Sequence, residues 1–276
     1  MKKIYRGLEF EDEMVAYLTH STFNANPAPA SIDTPLHAFI PHRHVDHLHP
    51  DAIIAVAASK DGPRLTQEIF GSKVAWFKWQ RPGFDLGLQL EKLVAGHAGF
   101  EGIVLGGHGL FTWGNTSKEC YENSLAAIDK AAAYLESQVA KKGRVFGGGR
   151  RRELPDKKRK EIAAEVMPVL RGLVGTKEHK IGHFDDSPVP LEFVDSADAP
   201  RLAPLGTSCP DHFLRTKIRP LFLDWDPQTG TVEAINQLFA DALPEYRKAY
   251  AAYYERCKRK DSPPLRDPNP VVVLVP

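Results

Sequence analysis

The stretch EGIVLGGHGLFTWG, residues 101–114, restricts the fold most, because glycines separate two short apolar runs. This pattern predicts two short β-strands joined through the glycine pair. A long helix is predicted to follow, since Thr116 and Glu119 have the spacing of a capping box. Apolar residues of that helix recur at intervals of four and three, which predicts one buried stripe. Its members are Tyr121, Leu125, Ile128, Ala132, Leu135 and Val139.

Periodicity and the positions of proline and glycine predict the other elements. Helices are predicted over 8–20, from Thr34, after Pro50, over 81–96, over 160–175 with a kink or break at Pro168, and over 231–259. Strands are predicted over 44–49 and at the terminal run VVVLV, residues 271–275. The last helix is predicted to carry on one face Leu238, Leu243, Tyr246, Tyr250 and Tyr254. Alternating strands and helices predict an α/β layer fold.

Composition limits the partners and the compartment that the chain suggests. A net charge of +1 on 276 residues creates no global field for nucleic acid. No apolar run approaches the ~20 residues that a spanning helix needs, so no membrane partner is expected. The three cysteines form no CxxC pair, which indicates reduced thiols and a cytoplasmic location. We predict a core at 1–140, a basic glycine-rich linker at 141–160 and a C-terminal region at 161–276.

The sequence PHRHVDHLHP places four histidines within eight positions and fits two kinds of metal site. In the first, His42, His44, Asp46 and His47 match the HxHxDH pattern of metallo-β-lactamase-type hydrolases, whose ligands bind two metals. Such enzymes carry most of a β-layer before the motif, whereas only 41 residues precede it in this chain. The hydrolase therefore remains the less favoured alternative.

In the second kind of site, His47 and His49 bind one ion together. Residues two apart on a strand project from the same face, so both imidazoles can reach the same metal. His108, which lies between glycines, is the candidate for the third ligand, because the backbone can approach closely there. Three histidines leave an open position on zinc, which is typical of catalytic zinc sites.

Three stretches resemble the class II aldolase/adducin family: SIDTPLHAFIPHRHVDHLHPDAIIAVAAS, GFEGIVLGGHGLFTWG and GTSCPDHFLRTK. The resemblance is greatest to the aldolase half of bifunctional rhamnulose-1-phosphate aldolase/short-chain dehydrogenases. It implies a layered sheet with flanking helices and a helical C-terminal extension. It also implies one zinc ion per chain, held by His47, His49 and His108, and a proton-transfer role for Asp33. Most class II aldolases have glutamate at that position.

The resemblance further implies a reaction and a partner molecule. The substrate would be a phosphorylated sugar, rhamnulose 1-phosphate, cleaved to dihydroxyacetone phosphate and L-lactaldehyde by a homo-oligomer. Asp46 is predicted to orient an imidazole N–H of the metal site. Residues predicted to contact the substrate are Asn24, Ser31, His212, Arg215 and Lys217.

Family members also carry segments that this chain does not include. We expect a glycine-rich phosphate loop to precede residue 1 in a longer protein, and a fused dehydrogenase domain to follow residue 276. The 276-residue chain alone is therefore expected to be a poor aldolase. The remaining alternative is a non-catalytic, adducin-like interaction module, which would have no need of three converging histidines.

Overall fold

The computed structural model describes residues 1–23, 30–97, 99–142, 147–149, 154–260 and 262–276. Its contacts divide the chain into two compact units, Met1–Lys141 and Lys142–Pro276. The fold is mixed α/β, with a central sheet and flanking helices, so the predicted fold class is confirmed. The predicted linker at 141–160 lies partly outside the described residues, and its last residues belong to a helix.

The first unit combines six α-helices and four strands among its described residues. The helices are α1 (Glu11–Leu18), α2 (Thr34–Phe39), α3 (Asp51–Ala57), α4 (Gly62–Phe70), α5 (Phe84–Ala95) and α6 (Ser117–Lys142). The strands are β1 (His44–Leu48), β2 (Val74–Phe77), β3 (Gly102–Leu105) and β4 (Gly109–Gly114). Short 3-10 turns occupy Lys2–Ile4, Leu8–Phe10 and Thr19–Ser21.

The four strands form one sheet in the order β1-β4-β3-β2. Strand β4 runs antiparallel to both of its neighbours, and β2 runs parallel to β3. The strand pair β3–β4 was predicted from the glycine-flanked sequence, whereas β2 and α4 were not. The run VAWF in β2 has no polar alternation, so periodicity gives no signal for such a short segment.

Apolar side chains cover both faces of this sheet. Helices α2 and α5 pack on one face, in a cluster that includes Leu36, Leu86, Leu90, Ile103 and Phe111. Helices α3, α4 and α6 cover the other face, in a cluster that includes Ile53, Phe70, Val104, Leu110 and Ala127. Strand β3 is buried along its whole length because both faces are covered.

Helix α6 begins where predicted but buries a different face. The Thr116 hydroxyl accepts a hydrogen bond from the Glu119 N–H at 3.1 Å, as a capping residue should. The predicted buried stripe is wrong, because Tyr121, Leu125 and Val139 are 59%, 42% and 55% exposed. The face toward the sheet instead carries small residues, Cys120, Ser124, Ala127 and Ala131. Hydrophobicity favours the large residues, but close packing against the sheet requires the small ones.

The second unit is mainly helical among its described residues. It contains α7 (Asp156–Val174), α8 (Pro188–Val194), α9 (Ala199–Leu202), α10 (Pro210–Thr216) and α11 (Val232–Cys257). Strands β5 (Leu221–Phe222) and β6 (Val273–Leu274) pair in parallel, so the terminal apolar run does form a strand.

Two predictions for this second unit need correction. Helix α7 continues through Pro168, so the predicted break is wrong, while a kink there stays a prediction. On α11, Leu243 and Tyr246 are buried as predicted, but Leu238 is 37% exposed and Phe239 takes the core position.

The three cysteines are free thiols, two buried and one exposed. Among the described helices, none has the length and apolar character that crossing a membrane requires.

Gly87 provides a test of how closely α2 and α5 must pack. A Cβ at this position would lie 2.9 Å from the Pro35 carbonyl oxygen and 2.9 Å from a Phe39 ring carbon. We expect Gly87→Ala to lower the free energy of unfolding by ~1–3 kcal/mol, as overpacking commonly does. The control is Gly96→Ala, because a Cβ there meets nothing closer than 3.5 Å. Chemical denaturation measures the free energy of unfolding of both variants. Equal values for the two would contradict the close packing of α2 against α5.

Candidate metal centre

Strand β1 and the β3–β4 turn bring three histidines to one end of the sheet. His47 lies in β1, and His49 follows one residue after the strand ends. His108 comes directly after Gly107, whose φ of 62° is in the left-handed region that favours glycine. Gly109 permits the close approach, because a Cβ there would lie 2.5 Å from a ring carbon of His49.

The three imidazoles converge through their Nε2 atoms. Nε2 of His47 lies 3.1 Å from Nε2 of His108 and 3.1 Å from Nε2 of His49. The ligand atoms of the three residues all lie within 4.8 Å of one another. Two nitrogens bound tetrahedrally to one zinc at ~2.0–2.1 Å would be ~3.3 Å apart, so the two 3.1 Å spacings around His47 are close to those of ligands that share one ion.

The surroundings keep the imidazoles of His47 and His108 neutral, which is the form that binds a metal. Burial, followed by the neighbouring imidazoles, lowers the pKa of His47 to about 3. Burial and His49 lower the pKa of His108 to about 4. Nδ1 of His47 lies 3.1 Å from the Leu110 carbonyl oxygen, to which a protonated Nδ1 donates. That hydrogen bond leaves the Nε2 lone pair free to point at a cation.

Asp33 lies beside this cluster, at the N-terminus of α2. Burial raises the pKa of its carboxyl, while Ser31, His37 and His49 act in the opposite direction. The Ser31 hydroxyl donates to Oδ2 of Asp33 at 3.4 Å. Its other oxygen, Oδ1, is buried and accepts no hydrogen bond from the described residues. An unpaired buried carboxyl oxygen is well suited to proton transfer, because its protonated form is favoured.

Asp46 does not orient the metal-site imidazoles, so this prediction is corrected. Successive side chains of a strand alternate between its faces, which sends Asp46 away from His47. Its carboxylate instead accepts a hydrogen bond from the Ser124 hydroxyl at 3.3 Å. The group that fixes the His47 ring is the Leu110 carbonyl. That residue is distant in sequence, so local spacing could not identify it.

The HxHxDH residues do not assemble into a second site. His42 stacks on Trp113 with ring centroids 5.2 Å apart. His44 pairs with Gly114 at the opposite end of the β1–β4 ladder from His47. Among the described histidines, cysteines and carboxylates, only one group has the spacing of metal ligands, and it contains neither of these histidines.

The other predicted substrate residues are placed in different ways. Asn24 lies outside the described residues, and Ser31 contacts Asp33. In the second unit, Arg215 on α10 pairs with Asp211 at 2.9 Å. The Lys217 ammonium donates to the backbone carbonyls of residues 267 and 269. The His212 carbonyl accepts a hydrogen bond from the Thr216 hydroxyl. Substrate contact by these residues stays a prediction.

Comparison with known domain families identifies both parts of the chain. Residues 5–135 match the Class II Aldolase and Adducin N-terminal domain, and residues 161–276 match the Aldolase class II, second domain. The chain belongs to the class II aldolase/adducin family. The histidine cluster lies within the first of these matches, so the possible metal site belongs to the N-terminal aldolase domain.

One curated relative matches almost the whole length of this class II aldolase family member. It is 38% identical over 266 residues to an uncharacterized oxidoreductase, YuxG, of Bacillus subtilis (strain 168). That match covers 96% of this chain and 38% of the relative, so the chain spans well under half of the relative's length.

Two solved structures are also similar to parts of the chain. The N-terminal class II aldolase domain of a conserved protein from Thermoplasma acidophilum is 32% identical, with a TM-score of 0.44. That similarity covers 48% of this chain and 60% of the other. A sugar-phosphate aldolase from Thermotoga maritima is 18% identical, with coverages of 44% and 59% and a TM-score of 0.35.

The cluster predicts one divalent metal ion per chain. We expect His49→Ala to abolish stoichiometric binding, because two imidazoles hold an ion much less tightly than three. His44→Ala is the matched control, since both histidines are half-buried and His44 is the first residue of the strand that His49 directly follows. Elemental mass spectrometry after dialysis measures the metal content. Two ions per chain, or loss of metal on His44→Ala, would instead favour the hydrolase geometry.

Proposed function

We propose that this chain is the aldolase region of a zinc-dependent carbon–carbon lyase that cleaves rhamnulose 1-phosphate. The products would be dihydroxyacetone phosphate and L-lactaldehyde. One observation carries the proposal: three imidazoles converge beside Asp33, whose buried Oδ1 has no hydrogen-bond partner among the described residues. An adducin-like interaction module would need neither feature, and membership of the family supports the same class of reaction.

Zinc is the proposed ion because three imidazoles form one of its common catalytic ligand sets. When bound, zinc would supply Lewis-acid stabilisation of the negative charge that develops on the sugar oxygens. His47, His49 and His108 would hold it, and the Leu110 carbonyl would keep the His47 ring in the required tautomer. The ring of Phe111, stacked on His47 at 4.1 Å between centroids, excludes water from one side.

Asp33 is the proposed proton-transfer residue. When the C3–C4 bond breaks, the C4 hydroxyl loses its proton and becomes the aldehyde, and the bonding electron pair remains on the fragment that contains C3. That fragment needs a proton at C3 before it leaves as dihydroxyacetone phosphate. In the proposed step the Asp33 carboxylate accepts the C4 hydroxyl proton, and its raised pKa favours holding that proton on Oδ1 until it is delivered to C3.

We further propose that the aldolase region acts within a longer protein. Its oxidoreductase relative is much longer than the chain, which supports a fused dehydrogenase domain as a partner. A homo-oligomeric state, which the resemblance implies, and a cytoplasmic location, which the sparse cysteines indicate, complete the proposal.

Substitution of Asp33 tests the proposed chemistry. We expect Asp33→Asn to retain the metal but to lower kcat by ~10²–10⁴-fold, the usual worth of a positioned acid or base. Asp61→Asn is the control, because Asp61 also precedes a helix with proline in its first turn. Release of dihydroxyacetone phosphate is followed in a coupled assay at equal zinc occupancy.

The assay is run on the 276-residue chain and on a chain extended by the family's N-terminal segment. Rhamnulose 1-phosphate is compared with other ketose 1-phosphates to identify the sugar. Full activity of Asp33→Asn would remove Asp33 from the mechanism. Absence of cleavage of every ketose 1-phosphate by both zinc-loaded chains would contradict the proposed function.

A further inference from the structure

We infer that His37 is a positioning residue that fixes Asp33 at a set distance from the metal ligands. The inference rests on the proposed function, since it concerns the residue assigned to proton transfer. His37 lies on α2, one helical turn after Asp33, and it belongs to neither the histidine cluster nor the HxHxDH pattern. Its imidazole connects α2 to β1, and β1 carries His47.

The connection is a hydrogen bond to the strand backbone. Nδ1 of His37 lies 3.1 Å from the carbonyl oxygen of Val45, two residues before His47. Because a carbonyl only accepts, Nδ1 must carry the proton and donate it. On the helix side, the Asp33 carbonyl accepts from the N–H groups of Leu36 at 2.9 Å and His37 at 3.3 Å. The backbone of Asp33 is therefore linked to β1 through a single side chain.

Ring contacts extend this connection to the metal ligand. The His37 ring meets the Phe111 ring edge-on, with centroids 5.4 Å apart, and the His47 ring at 6.2 Å. Phe111 also stacks on His47 and is its partner in the β1–β4 register. The positions of these three rings are therefore interdependent, and His37 is the one that belongs to the helix of Asp33.

Other contacts do not fix Asp33 in the same way. Leu36 is fully buried and Gly87 packs against Pro35, so the middle of α2 is held against α5. Among the described residues, the Asp33 side chain by contrast has only the long hydrogen bond from Ser31 on its Oδ2. The imidazoles of His37 and His49 both act on the pKa of Asp33, which indicates that the two rings lie near its carboxyl. Because His37 is only half-buried, its substitution does not create a cavity in the hydrophobic core.

The test uses two substitutions that differ in one hydrogen bond. In His37→Asn, the amide nitrogen can replace Nδ1 as the donor to Val45, whereas His37→Leu has no donor. We expect His37→Leu to lower kcat by up to about 10²-fold, with KM and zinc content unchanged, because small displacements of reacting groups are costly. His37→Asn should recover most of that loss. The control is His42→Leu, a histidine of the same stretch that stacks on Trp113 instead.

A double-mutant cycle with Asp33→Asn identifies the group through which His37 acts. If His37 positions Asp33, adding His37→Leu to the Asp33→Asn variant should leave kcat unchanged. Independent, multiplicative losses would overturn the inference. So would loss of zinc from His37→Leu, since it would make His37 part of the metal site itself.

Hydrogen exchange tests the connection without any substrate. Backbone amides of α2 should exchange faster in His37→Leu than in the wild type, and near the wild-type rate in His37→Asn. Equal exchange in all three proteins would overturn the inference. Absence of lyase activity in both the 276-residue and the extended wild-type chains would refute the proposed function, while this measurement would still decide whether His37 holds α2 to β1.

Discussion

The antiparallel pairing of β1 with β4 is the constraint on which the candidate site depends. Its register sets His47 opposite Phe111 and Leu48 opposite Leu110. This pairing brings the side chain of His47 close to that of His108, although the two residues are 61 positions apart in the chain. A one-residue slip of this pairing would turn His47 to the opposite face and remove it from the cluster.

The two faces of β1 have different chemistry, and both stabilise this register. The face of His47 points toward the other two histidines of the cluster and the apolar layer of α2 and α5. On the reverse face, Asp46, Ser124 and Thr112 form a hydrogen-bonded chain, with the two hydroxyls 2.6 Å apart. Buried polar groups are costly when unpaired, so this chain disfavours any register that separates its members. Asp46 thus contributes to the site through the sheet rather than through an imidazole.

The fold class and the three converging histidines could be predicted from the sequence, because patterns within short segments indicate each of them. Residues two apart on a strand share a face, and glycines around His108 mark a close approach. The remaining features depend on which face of an element meets its neighbours. The α6 stripe was assigned to large residues such as Tyr121, although Ser124 and its small neighbours make the contact. The Leu110 carbonyl and the His37 connection likewise depend on tertiary register, which local patterns do not report.

The distance in sequence between the histidines also links metal chemistry to folding. In an unfolded chain, of these three ligands His47 and His49 are close enough in sequence to chelate the same ion, whereas strands β2 and β3 and helices α3, α4 and α5 separate them from His108. A cation held by all three therefore acts as a reversible cross-link between β1 and the β3–β4 turn. Such a cross-link exists only in the native topology, so occupancy of the centre would report that the sheet has assembled correctly.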